Sequence, residues 1–212
     1  MFIPGNSFAD YLLLGVSFLP LLPALVILVR KLYGQEPFNY LAVICLLCFF
    51  QGLLRLVYSA PPQGQYLAGR AISLLLFLFY FLAFRSNLGG KLRYGLNLLM
   101  TALLSILCTY WWLKGWEGAS PITEMLTDGF LALVVGISLR TIIRNDELGV
   151  FRHPLFWIEG GTLFYILLFL LLEGVGEGYR PLATASDTEK RLFLGLADLI
   201  RYLSYIAAVF LL

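Results

Sequence analysis

Seven apolar stretches of about twenty residues each, separated by short polar breaks, constrain this chain more than any other feature. They run approximately over residues 9–31, 38–59, 66–85, 92–113, 121–144, 154–173 and 190–211. Each is long enough to cross a hydrocarbon layer of ~30 Å as an α-helix, which takes ~20 residues. Composition removes the soluble alternative. The 212 residues are 60% hydrophobic and 13% charged, against about 25% charged in an ordinary globular domain. The reading is an all-α polytopic membrane protein, a single seven-helix domain over residues 1–212. The net charge of +2 without a basic run gives no footprint for nucleic acid; the partner implied by composition is the lipid bilayer.

The breaks "YGQEPFN", "SAPPQGQ", "RSNLGGKLRYG", "KGWEGASP" and "RNDELGVFRHP" carry turn-forming residues. Lysine and arginine set the orientation. On the side opposite the N-terminus, side B, fall Arg30, Lys31, Arg85, Lys91, Arg93, Arg140, Arg144 and Arg152. The N-terminal side, side A, receives Lys114, Arg180, Lys190 and Arg191, with Arg55 and Arg70 just inside span ends. The leader "MFIPGNSFAD" has no basic segment of the signal-peptide kind. The expectation is an N-terminus outside and a C-terminus in the cytoplasm. Trp111, Trp112, Trp116, Tyr33, Tyr66 and Tyr94 fall near span ends, where aromatic belts anchor helices. Pro20 and Pro23 lie midway along the first span and predict a kink there.

An ionisable side chain at the bilayer centre costs about 2.5–3.5 kcal/mol on insertion scales, so such groups face the bundle interior and pair. In "LADLIRYLSY" Asp198 and Arg201 share a helix face at i, i+3. Counted from side A at ~1.5 Å per residue, they lie about 12 and 16 Å deep. Glu124 and Asp128 share a face at i, i+4, as do Gln51 and Arg55, and Arg70 opens the third span. Gln51, Arg55, Arg70, Glu124, Asp128, Asp198 and Arg201 are therefore the candidate ligand-binding residues, open to side A. The six charged ones balance, three against three. The competing reading is a closed ionic network that only fastens helices 2, 3, 5 and 7. Glu159 stands apart near side B, with Tyr165 after it at helical spacing. This pair is the candidate proton-sensing or switch element; an arginine partner or hydration would be the plainer fate of Glu159.

Other chemistries find no support in the residues. The four lysines lie at span ends or in loops, against a retinal Schiff base, and the lone histidine, His153, is at a span boundary, against haem. Cys45, Cys48 and Cys108 fall in apolar runs and read as small core residues. No H-E-x-x-H or G-x-S-x-G motif occurs. The expectation is a non-enzymatic protein with no cofactor and no metal.

The stretch "LRTIIRNDELGVFRHPLFWIEGGTLFYILLFLLLEG", residues 139–174, resembles small seven-helix inner-membrane proteins of Bacteroidetes-type bacteria, often encoded beside sensor histidine kinases. The matching features are the charged loop, the His153–Trp157 start, the Gly160–Gly161 patch and Tyr165. His153 departs from the asparagine of that pattern. The resemblance implies a sensory or adaptor role in the inner membrane, with a signalling partner such as a histidine kinase. The ending "YIAAVFLL" carries the expectation that a sensor of this kind signals through a partner rather than through an output domain of its own. The leading expectation is a receptor or sensor subunit for a small polar ligand or ion from the outer side. The alternatives are a small-solute or ion transporter using the same charges, and a structural membrane subunit.

Overall fold

In lipid every backbone donor and acceptor must be satisfied within the chain, which leaves helices as the natural fold of apolar segments of this length. The computed structural model of the protein is all-helical among the described residues. The structure describes residues 8–57, 63–114, 121–145, 149–174 and 187–212. For 8–10, 55–57, 63–70, 114, 121–122, 145, 173–174, 187–188 and 190–191 it describes the backbone alone. The helices are α1 (Phe8–Phe18), α2 (Leu21–Val29), α3 (Phe38–Val57), α4 (Gln63–Arg85), α5 (Gly90–Lys114), α6 (Pro121–Asn145), α7 (Pro154–Gly174) and α8 (Asp187–Phe210). Each of the seven apolar stretches read from the sequence is helical over most of its described residues. Among the described residues, five segments are long and apolar enough to cross a membrane: Tyr11–Val29, Gly90–Leu113, Thr123–Arg144, Pro154–Leu172 and Leu192–Phe210. Phe38–Leu54 and Ala71–Arg85 are shorter apolar stretches. The chain is a multi-pass membrane protein.

The first span is broken into α1 and α2 by its two prolines. Pro20 has no N–H to give Val16, so the Val16 carbonyl takes the Leu19 N–H at 3.3 Å. Pro23 has none for Leu19, whose carbonyl takes the Leu22 N–H at 3.1 Å. Two successive bonds thus fall three residues back rather than four, which tightens the helix for one turn.

The helices close a ring in the order α1/α2, α3, α4, α6, α7, α8 and back to α1/α2. Two glycines allow the closest approaches. A Cβ on Gly161 of α7 would stand 2.6 Å from the Ser204 Cβ of α8, and one on Gly52 of α3 would stand 2.9 Å from the Ser17 Cβ of α1. Small residues at helix contacts are how membrane helices gain packing without a hydrophobic drive between them. Arg30 at the end of α2 fastens the side-B end of α8: its guanidinium donates to the Val209 carbonyl at 3.2 Å and lies over the Phe210 ring. It meets carbonyls that the helix C-terminus leaves without intrahelical donors.

α5 stays outside this ring. It leans on the bundle through Leu96, Met100 and Leu107, and Asn97 accepts from Arg85 at 2.6 Å. Most of its surface faces outward, with Cys108 exposed there, whereas Cys45 and Cys48 are buried in the core. Tyr33, Tyr94 and Trp112 are exposed near helix ends; Tyr66 and Trp116 lie outside the described side chains.

Candidate functional site

α8 carries one polar stripe into the ring, and Asp198, Arg201, Tyr202 and Tyr205 are its members. Asp198 and Arg201 form an ion pair at i, i+3, with side chains 18% and 8% exposed. The other described contacts of the guanidinium are with neutral groups, and its Nε is buried without a hydrogen-bond partner among the described residues. It donates to the Tyr202 hydroxyl at 2.6 Å and to the Tyr80 hydroxyl of α4 at 3.5 Å. It also lies over the Tyr165 ring of α7 with its carbon 3.9 Å from the ring centre, and 4.7 Å from that of Tyr202. Such stacking strengthens when the site is dry. From Tyr80 the chain of hydroxyls continues to Tyr205 at 3.0 Å, and from Tyr205 to Thr162 of α7 at 2.7 Å. Cys48 of α3 joins the group through the Tyr202 and Tyr80 hydroxyls. The node therefore draws on α3, α4, α7 and α8. Gly161 makes the α7 side possible, because any Cβ there would press on Ser204 and on the Arg201 Cα.

Gln51, Glu124 and Asp128 stand apart from this node. Gln51 reaches across from α3 to Ser73 of α4, 3.5 Å away. Glu124 is exposed and lines a shallow groove of about 60 Å³ between α4, α5 and α6, with Ser73, Phe77, Leu107 and Trp111. Asp128, one turn below Glu124, is half-buried and feels the charge of Arg201 across the bundle without an ion pair to it. Arg55 and Arg70 belong to α3 and α4, and their side chains lie outside the described residues. Of the grouped residues whose side chains are described, Asp198 and Arg201 meet directly and Asp128 stands at a distance.

Glu159 makes no ion pair with an arginine among the described residues. It is fully buried, and its Oε1 accepts from Ser138 Oγ of α6 at 2.6 Å and from Asn87 Nδ2, in the α4–α5 turn, at 3.1 Å. Its second oxygen is buried without a partner among the described residues. This carboxyl ties three segments together near side B. Glu159→Leu is expected to lower stability by about 1–3 kcal/mol, because the fully buried Ser138 hydroxyl loses its acceptor. Adding Ser138→Ala should recover part of that loss in a detergent unfolding titration. Tyr165, the other member of the predicted switch pair, belongs instead to the Arg201 node.

Sequence reasoning missed Tyr80, Tyr202, Tyr205, Ser138 and Asn87, and placed Thr162 beside Glu159 and Tyr165 at helical spacing without its tyrosine partner. The signal was present in α8, where positions 198, 201, 202 and 205 follow one helical face.

The fold and this node define an all-helical, multi-pass membrane protein with a buried guanidinium held among tyrosines. No family model matches the chain, and no curated protein or solved structure shows significant similarity to it.

Proposed function

We propose that the chain is a non-enzymatic seven-span sensor subunit of a bacterial inner membrane, with its N-terminus outside. In this reading, the excess of Lys and Arg on side B supports the orientation. The observation that carries the function is the composition of the Arg201 node. Among the described residues its one carboxylate partner comes from its own helix, while the groups reaching it from other helices are neutral. Neutral hydroxyls and ring faces can be exchanged without stranding a second buried charge, so α7 and α4 can shift against α8 at modest cost. A small polar ligand or ion reaching the partly exposed Asp198 from side A competes for Arg201 and biases two packings of α7 against α8. The ligand acts only by its difference in affinity for the two. A cytoplasmic partner, of the histidine-kinase kind, reads the change at side B.

A second reading is favoured by the closeness of the packing. Arg201 is buried, with its side chain 8% exposed, and in a purely structural subunit the node only fastens helices. The experiment that separates them is a thermal-shift screen of small organic anions, inorganic anions and cations against the protein in lipid nanodiscs. The sensor reading expects at least one compound to raise Tm, Asp198→Asn and Arg201→Met to abolish that shift, and liposomes to show no flux of the compound. No shift from any compound, with Arg201→Met altering only stability, makes the protein structural. Flux that collapses in Asp198→Asn makes it a transporter.

A further inference from the structure

We infer that the groove between α4 and α5 is a binding site for one anionic phospholipid of the side-B leaflet. The groove encloses about 350 Å³ and is lined by Leu75, Leu78, Phe79, Leu82 and Met100, with Arg85 and Asn97 at one end. Its length fits a single leaflet. Arg85 is the last residue of α4 and lies at the membrane surface; Leu75, ten residues back, is about 15 Å deeper at 1.5 Å per residue. That is half of a ~30 Å hydrocarbon layer. The groove thus runs from the headgroup level to the bilayer midplane and stops, as an acyl chain does.

Charge selects the headgroup. Residues 85–100 contain Arg85, Lys91 and Arg93 and no acid. Arg85 is held only by neutral groups among the described residues: Asn97 at 2.6 Å and the Phe81 ring 5.7 Å away. Arg93 donates to the Ser86 carbonyl at 2.6 Å, which brings it back over the same turn. Basic side chains at the mouth of an apolar cleft between membrane helices are the chemistry that takes a lipid phosphate. The exclusion of α5 from the ring leaves the cleft for the lipid to fill.

The test uses the full chain in nanodiscs of equal parts dioleoylphosphatidylglycerol and dioleoylphosphatidylcholine, with retained lipid counted by native mass spectrometry. The wild type is expected to keep phosphatidylglycerol about tenfold over phosphatidylcholine, and Arg85→Gln to bring the ratio near one. Leu82→Trp, on the groove wall, is expected to release both lipids, and it carries the test if Arg85→Gln fails to fold. Equal retention of the two lipids by the wild type overturns the proposal, as does unchanged retention in Leu82→Trp. Displacement of the retained lipid by inorganic phosphate alone would show an anion site without an acyl-chain site, and would also overturn it.

Discussion

Gly161→Ala is expected to lower stability by about 1–3 kcal/mol, the usual cost of forcing extra volume into a close-packed contact. The new Cβ would stand 2.6 Å from the Ser204 Cβ and 2.8 Å from its hydroxyl oxygen, whereas carbon atoms in contact prefer about 3.5–4.0 Å. Rotating the serine cannot help, because its Cβ is fixed to the α8 backbone. The two helices must part by about 1 Å, and Tyr165 then retreats from the Arg201 guanidinium. Ser204→Gly in the same chain removes the colliding atom at a helix-propensity cost of up to about 1 kcal/mol. The double variant should therefore be more stable than Gly161→Ala alone in a detergent unfolding series. If Gly161→Ala unfolds with the wild type, the α7–α8 seam is looser than described.

The second large effect is an order of stabilities among variants of the ion pair. Removing one member of a buried pair costs about 3–5 kcal/mol, while replacing both by apolar groups is often neutral or stabilising. The two members differ in access to water, at 18% exposure for Asp198 and 8% for Arg201. Asp198→Leu strands the better-buried charge and should be the least stable. Arg201→Met strands a carboxylate that water can still reach, so its loss should be smaller. Asp198→Leu/Arg201→Met should lie closest to the wild type. An Asp198→Leu single variant as stable as the double one would mean that the tyrosines alone satisfy the guanidinium.

How much of this was legible beforehand follows from what each residue type reports. The all-helical, membrane-spanning character was readable because apolar length is read directly, and the first-span break was readable because proline has no N–H to donate. The place of α5 was not. A helix bathed in lipid and a helix packed among others can be equally apolar, so hydropathy does not say which one stands outside the ring. Charges announced themselves through their cost in lipid, which brought out Asp198, Arg201 and Glu159. The tyrosines were obscured by their dual character. Tyr33 and Tyr94 are surface anchors of the common kind, and nothing in residue type distinguishes them from Tyr80 or Tyr205. Glu124 was misleading for a related reason: periodicity places it on the face of Asp128, but not on which neighbour that face rests.

The ring order also bears on how the molecule is made. Tyr80 and its partner Arg201 are separated by 121 positions along the chain. At translation rates of about 5–20 residues per second, Tyr80 precedes Arg201 by roughly 6–24 s. Late in that interval, once Thr162 has been added, the hydroxyls of Tyr80 and Thr162 both await Tyr205, the partner they share, in a bundle whose sixth wall has yet to be synthesised. The arrival of α8 is then the step that closes the ring, so released chains that end before residue 187 should expose to lipid the α7 face that α8 otherwise covers.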